Sequence, residues 1–163
     1  MAQPNNVFMK AKDAISARLA ECYMTINGRR YFFMQIIDCE FKIDKTKGKV
    51  SRLGTIMIGH KSYGMEGTFS GTAHYNQSVL RELMVEFKKT ACDTYFEIQV
   101  ENDDPASAAR AQTVIFYDCL MDGGVLAKFD GNDEEYLDEP IEGTFDDFSI
   151  PKDFTELEGF AMS

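Results

Sequence analysis

Residues 22–37 read CYMTINGRRYFFMQII, and the fold class follows from this stretch. Asn27-Gly28 lies between two runs rich in aromatic and β-branched residues, Cys22–Ile26 and Tyr31–Ile37. Both residues of the pair tolerate positive φ, which a two-residue type I′ turn requires, so the stretch predicts a β-hairpin. The second run is apolar on both faces, and a strand of that kind needs cover on both.

Working outward, strand signals dominate. Phe41-Lys42-Ile43-Asp44 alternates apolar and polar, and Lys45-Thr46-Lys47-Gly48-Lys49 reads as a cation-loaded hairpin tip or mobile loop. Thr55–Ile58 reads as a strand, and Gly59–Gly64 as a glycine-punctuated turn. From Met65 to Tyr75 the period is two. Met65, Gly67, Phe69, Gly71, Ala73 and Tyr75 share one face; Glu66, Thr68, Ser70, Thr72 and His74 share the other. One helix stands out, from Ser78 to about Lys89, with Val79, Leu80, Leu83, Met84 and Phe87 at the spacing of a single apolar stripe. Full burial of that stripe would contribute on the order of 10 kcal/mol toward docking it on a sheet. Tyr95–Val100, Thr113–Leu120, Val125–Phe129 and a last run from about Tyr136 to Phe148 complete the strands, separated by polar or acidic turns. The pattern predicts a mainly β chain, a β-sandwich or barrel carrying one α-helix. A single domain, 1–163, is expected, with a flexible N-terminal arm over about 1–19 and a C-terminal tail over about 152–163.

Charge is divided unevenly. Residues 1–90 hold 14 Lys and Arg against 8 Asp and Glu, whereas residues 91–163 hold 3 against 19. Such acidity argues against a nucleic-acid-binding module, which relies on cations to neutralise phosphates. It also suits a molecule whose basic parts meet the acidic parts of another copy. The start, MAQPNNVFMKAKDAIS, lacks the apolar core of a secretory signal, so synthesis in the cytoplasm is expected. Cys22, Cys39, Cys92 and Cys119 have neither metal-ligand nor redox spacing and read as reduced core thiols.

The search for chemistry returns little. His60 and His74 are the two histidines, and neither has a partner at ligand or triad spacing. The run Gly54 to Ser62 has one residue too many before its lysine for a phosphate loop, and strand-like sequence follows it. The acidic turn Asp130–Glu135 has Glu135 where a calcium loop needs glycine and Ile141 where it needs a bidentate glutamate. Asp138-Glu139 and Asp146-Asp147 are neighbours on strands and point to opposite faces, so neither is a catalytic dyad. No catalytic, cofactor or metal residue is expected, which favours a scaffold or binding role.

Several segments, in order, resemble the XkdM-like phage tail tube proteins of contractile-tailed phages and phage-tail-like bacteriocins. The run Met57-Ile58-Gly59-His60-Lys61 to Gly64-Met65-Glu66-Gly67-Thr68 is similar to that family's signature. Lys12-Asp13-Ala14-Ile15-Ser16, Asn27-Gly28, the helix after Tyr75, Val114–Asp118 and Phe145–Pro151 also match in sequence order. The resemblance implies subunits assembled as hexameric rings, each giving strands to a β-barrel around a channel, with rings stacked head to tail. It implies no catalytic residue, and as partners the chain itself, then sheath, baseplate and terminator proteins. DNA would pass through the channel at most transiently, and no membrane binding is implied.

On that footing two surfaces are expected. A basic ring-stacking loop carries Lys42, Lys45, Lys47, Lys49, Arg52 and Lys61. A polar channel wall is drawn from Glu66, Thr68, Ser70 and Thr72 with Asp138, Glu142, Thr144 and Asp146. The alternative is a monomeric β-sandwich that binds carbohydrate or peptide; it expects exposed aromatic loops, and the chain has no Trp.

Overall fold

The computed structural model describes residues 9–16, 18–33, 36–132 and 136–157. After a short 3-10 turn (Ala11–Asp13), the strands are β1 (Ala20–Ile26), β2 (Arg29–Phe32), β3 (Ile36–Val50) and β4 (Gly59–His74). Helix α1 (Val79–Thr90) follows, then β5 (Phe96–Asp103), β6 (Ala111–Met121), β7 (Asp138–Phe145) and β8 (Asp147–Lys152). All pairings are antiparallel. The first sheet runs β2-β1-β5-β6 with β8 beyond β6; the second runs β3-β4-β7 and meets the end of β6.

The hairpin signal at the start is met. Asn27 (φ 50°) and Gly28 (φ 78°) hold the turn between β1 and β2. The expected strand Tyr31–Ile37 is instead divided: β2 ends at Phe32, and Ile36 begins β3 in the other sheet. Phe33 is buried, Phe32 and Ile37 are half exposed, and residues 34–35 of the expected strand lie outside the described residues.

Between the sheets lies an aromatic core. Phe41 stacks on Phe116 with ring centroids 3.9 Å apart, and Phe69 and Phe145 close around them. Met24, Ile26, Phe96, Ile98, Cys119 and Ile141 complete it. Gly67, Gly71 and Gly143 sit where a Cβ would collide with the Phe145 ring, the Asp38 carbonyl, and Phe69 with the Leu120 carbonyl. These glycines are dictated by close approach.

Two acidic residues mark the corners between layers. Opposite Glu97 the ladder of β5 and β6 slips, and there Asp118 adopts a φ of 52°. The bulge turns β6 out of the first sheet, so that Leu120 and Met121 pair with β7 in the second. Asp146 does the same for the other strand, separating β7 from β8, its N–H donating to the Tyr117 carbonyl at 3.2 Å. The expected single strand Tyr136–Phe148 is therefore two strands in two sheets. The expected strand Val125–Phe129 is irregular, because its backbone groups go to side chains of the helix and neighbouring loop rather than to a ladder.

The described parts of the terminal segments are fastened at one loop. The Lys12 carbonyl accepts from the Ala108 N–H at 2.9 Å, Asp104 accepts from the Ser16 N–H, and Thr155 donates to the Ala109 carbonyl.

Candidate assembly surfaces

Residues directly paired across a ladder share a face, so register decides which side chains meet. Thr68 pairs with Thr144, Ser70 with Glu142 and His74 with Asp138, all on the outward face of the second sheet. Across the other ladder, Glu66 faces Asp44, Thr68 faces Lys42, Ser70 faces Glu40 and Thr72 faces Asp38. Seven of the eight residues proposed from sequence as channel wall thus lie together on one polar face. Asp146 stands apart at the corner. Sequence reasoning missed Asp38, Glu40 and Asp44, although the alternation from Glu40 to Asp44 carried the signal. Lys42 and His74, the basic side chains on the face, are both engaged: Lys42 Nζ lies 3.9 Å from Asp44, and His74 Nδ1 lies 3.0 Å from Asp138. The face is therefore acidic.

The same two strands run on past the sandwich as an arm. Lys45, Lys47 and Lys49 lie on β3 and Lys61 on β4, all exposed. The expected loop at 45–49 is strand, the expected turn at 59–64 is strand, and the expected strand at 55–58 lies in the reversal. The ladder continues to Val50 opposite Gly59, and the chain turns back where Gly54 takes a φ of 82°. Of the proposed stacking residues only Arg52 is in the turn, and its guanidinium donates to the Met57 carbonyl at 3.4 Å. The tip itself is apolar: Leu53 and Ile56 are fully exposed, with Met57 and Ile58 beside them.

At the other end of β4 the helix begins. Ser78 precedes its first turn, and Ala91 closes it in the left-handed conformation. Val79, Leu80 and Leu83 pack against the core, half buried, and Met84 is half buried too. Phe87 is 50% exposed, so part of the apolar stripe is uncovered. The uncovered part lines a groove of about 160 Å³ with Phe96, Leu120 and Met121. Arg81 ties this end together. Its Nη1 lies 2.8 Å from the buried carboxylate of Glu139 and donates to the Val125 carbonyl at 3.3 Å. Its guanidinium also lies over the Tyr75 ring and bonds the Gln77 carbonyl.

Among the described residues, no three His, Cys, Asp or Glu side chains gather as a metal site would require. Burial pushes the thiols of Cys22, Cys39 and Cys119 up to about 12, so they are protonated and poorly nucleophilic. Cys92 is exposed rather than in the core.

The phage tail tube protein family matches residues 7–152. The phage-like element PBSX protein XkdM of Bacillus subtilis (strain 168) is 30% identical over 148 residues, covering 91% of this chain and 97% of that protein. The fold superposes on the sheath/tube terminator of the PVC extracellular contractile injection system with TM-score 0.66 at 8% identity, covering 88% of this chain and 100% of that one. It also superposes on the tube terminating cap of the anti-feeding prophage with TM-score 0.65 at 10% identity, covering 90% and 96%.

Proposed function

This chain belongs to the phage tail tube family, and from that premise we propose that its copies close into hexameric rings stacked head to tail around a central channel. It is a structural subunit of the tube of a phage or phage-tail-like particle.

The observation that supports ring closure best is the second sheet. One face is packed on the aromatic core, the other is polar and acidic, and β3 has no strand of this chain on its outer edge among the described residues. An open edge of that length invites pairing, and a ring places a neighbour's strand there. The face carrying Glu66, Thr68, Ser70, Thr72, Asp138, Glu142 and Thr144, with Asp38 and Glu40, becomes the channel wall. Its carboxylates repel a polyanion, so DNA slides past without binding. We assign the chain no catalytic role. Sheath, baseplate and terminator proteins are its further partners, and assembly follows synthesis in the bacterial cytoplasm.

Negative-stain electron microscopy of the purified chain, alone and with preformed tail baseplates, tests the reading. Six-fold rings or hollow tubes are the expected result. A uniform monomer under both conditions overturns it.

A further inference from the structure

The strands of the second sheet give the molecule two ends. Strand β4 has 16 residues, so at about 3.3 Å per residue the hairpin tip lies roughly 50 Å from His74. The segment 122–132 is anchored at that far end. The Val125 carbonyl accepts from Arg81, the Leu126 carbonyl accepts from the Tyr75 hydroxyl at 3.4 Å, and Lys128 Nζ donates to the Asp138 carbonyl at 2.7 Å. Tip and segment of one copy therefore cannot touch.

Each end exposes apolar side chains inside a charged frame, and the frames have opposite sign. The tip presents Leu53, Ile56 and Met57 above Lys45, Lys47, Lys49 and Lys61. The far end presents Leu126, Phe129 and Tyr136 among Asp122, Asp130 and Asp138. Lys128, the one cation of the segment, is occupied by its bond to β7.

We propose that the hairpin tip of one copy seats on the 122–132 segment of a second copy, with Leu53 and Ile56 packed against Leu126 and Phe129. The lysines of the arm then face the carboxylates of the segment. This rests on the stacked-ring reading and names its receptor. Because donor and acceptor surfaces differ, the contact is heterologous, and placed between one ring and the next it repeats along the stack. The apolar centre makes it only partly salt-sensitive, since screening weakens the charged frame alone.

The test uses full-length chain in a Cys92→Ser background, whose other thiols are buried or half-buried and protonated. Leu53→Cys and Phe129→Cys are made on separate chains and mixed under mild oxidation, while the same samples are imaged. Disulfide-linked dimer is expected in the mixture and should be lost when either variant is oxidised alone. Both positions are exposed, so the folded chain tolerates them; a thermal melt matching the parent checks this. Rings or tubes without the mixed cross-link overturn the receptor and leave the stacked-ring reading standing. The cross-link without rings supports the contact and overturns the ring. Neither cross-link nor rings defeats both. Leu53→Asp sharpens the result: it should weaken stacking by about tenfold or more, as burial of one leucine implies. Unchanged stacking would overturn the proposal.

Discussion

The β3/β4 hairpin divides near Ile43 and Gly67 into a base and an arm, and one backbone ladder runs through both. In the base, Cys39, Phe41, Phe69 and Ala73 are pressed onto the core. In the arm, every β4 side chain from His60 to Glu66 is exposed. The ladder is alike; the burial is not. Net of competition with water, a ladder bond is worth only about 0.5–1.5 kcal/mol, and an isolated two-stranded hairpin is marginal. The base is therefore held by what its side chains bury. Among the described residues the arm buries no comparable apolar surface within one subunit, so its ladder stands with little packing to support it.

The sharpest test of that division is Phe69→Ala. Phe69 is buried among Phe41, Phe116 and Phe145, and its removal should cost about 3–5 kcal/mol, read as a large fall in the melting temperature. Tyr63→Ala, on the arm, should move the same melt by less than about 0.5 kcal/mol. A comparable loss at both positions would erase the distinction. The glycines repeat the comparison at smaller scale. A Cβ at Gly71 meets the Asp38 carbonyl, so Gly71→Ala should cost about 1–3 kcal/mol in a urea titration. A Cβ at Gly64 meets nothing within 4 Å, and Gly64→Ala should leave the urea midpoint almost unmoved.

Thiols give the mildest probe. In the folded chain only Cys92 should react promptly with a thiol reagent, and the remaining three only on adding denaturant. The same groups set an alkaline limit. Their folded values, about 12, stand above the ordinary 9.0, so the unfolded chain ionises first. Their contribution is complete below about pH 9 and is lost as pH rises toward 12. Urea midpoints should fall between about pH 9 and pH 12, and Cys39→Ala should flatten that fall.

How much of this was legible beforehand follows from how local each feature is. Asn27-Gly28, the alternation from Met65 to Tyr75 and the helical stripe are decided by neighbours a few residues apart, and each was readable. The arm was not, because lysine, threonine and glycine suit an exposed strand and a loop equally well; only the register shows which it is. The corners at Asp118 and Asp146 are agreements between distant strands, so one continuous strand was the natural reading of residues 136–148. The polar wall was half visible for the same reason: β4 and β7 announced their faces. Asp38, Glu40 and Asp44 joined only once β3 was set beside β4. The apolar tip was not legible: Thr55–Ile58 reads as a strand, and Leu53 carries no local signal that would place it at a reversal.

The corners at Asp118 and Asp146 have a mechanical consequence. Strand β4 is flanked by β3 and β7, so a pull on the arm loads two rows of hydrogen bonds side by side, in shear, rather than peeling one row from its end. From β7 the load passes the Asp146 corner into β8, and through the paired end of β6 into the first sheet. The two layers are thus sewn by strands that belong to both. Tension applied along the arm is shared across the subunit before any single pairing has to give.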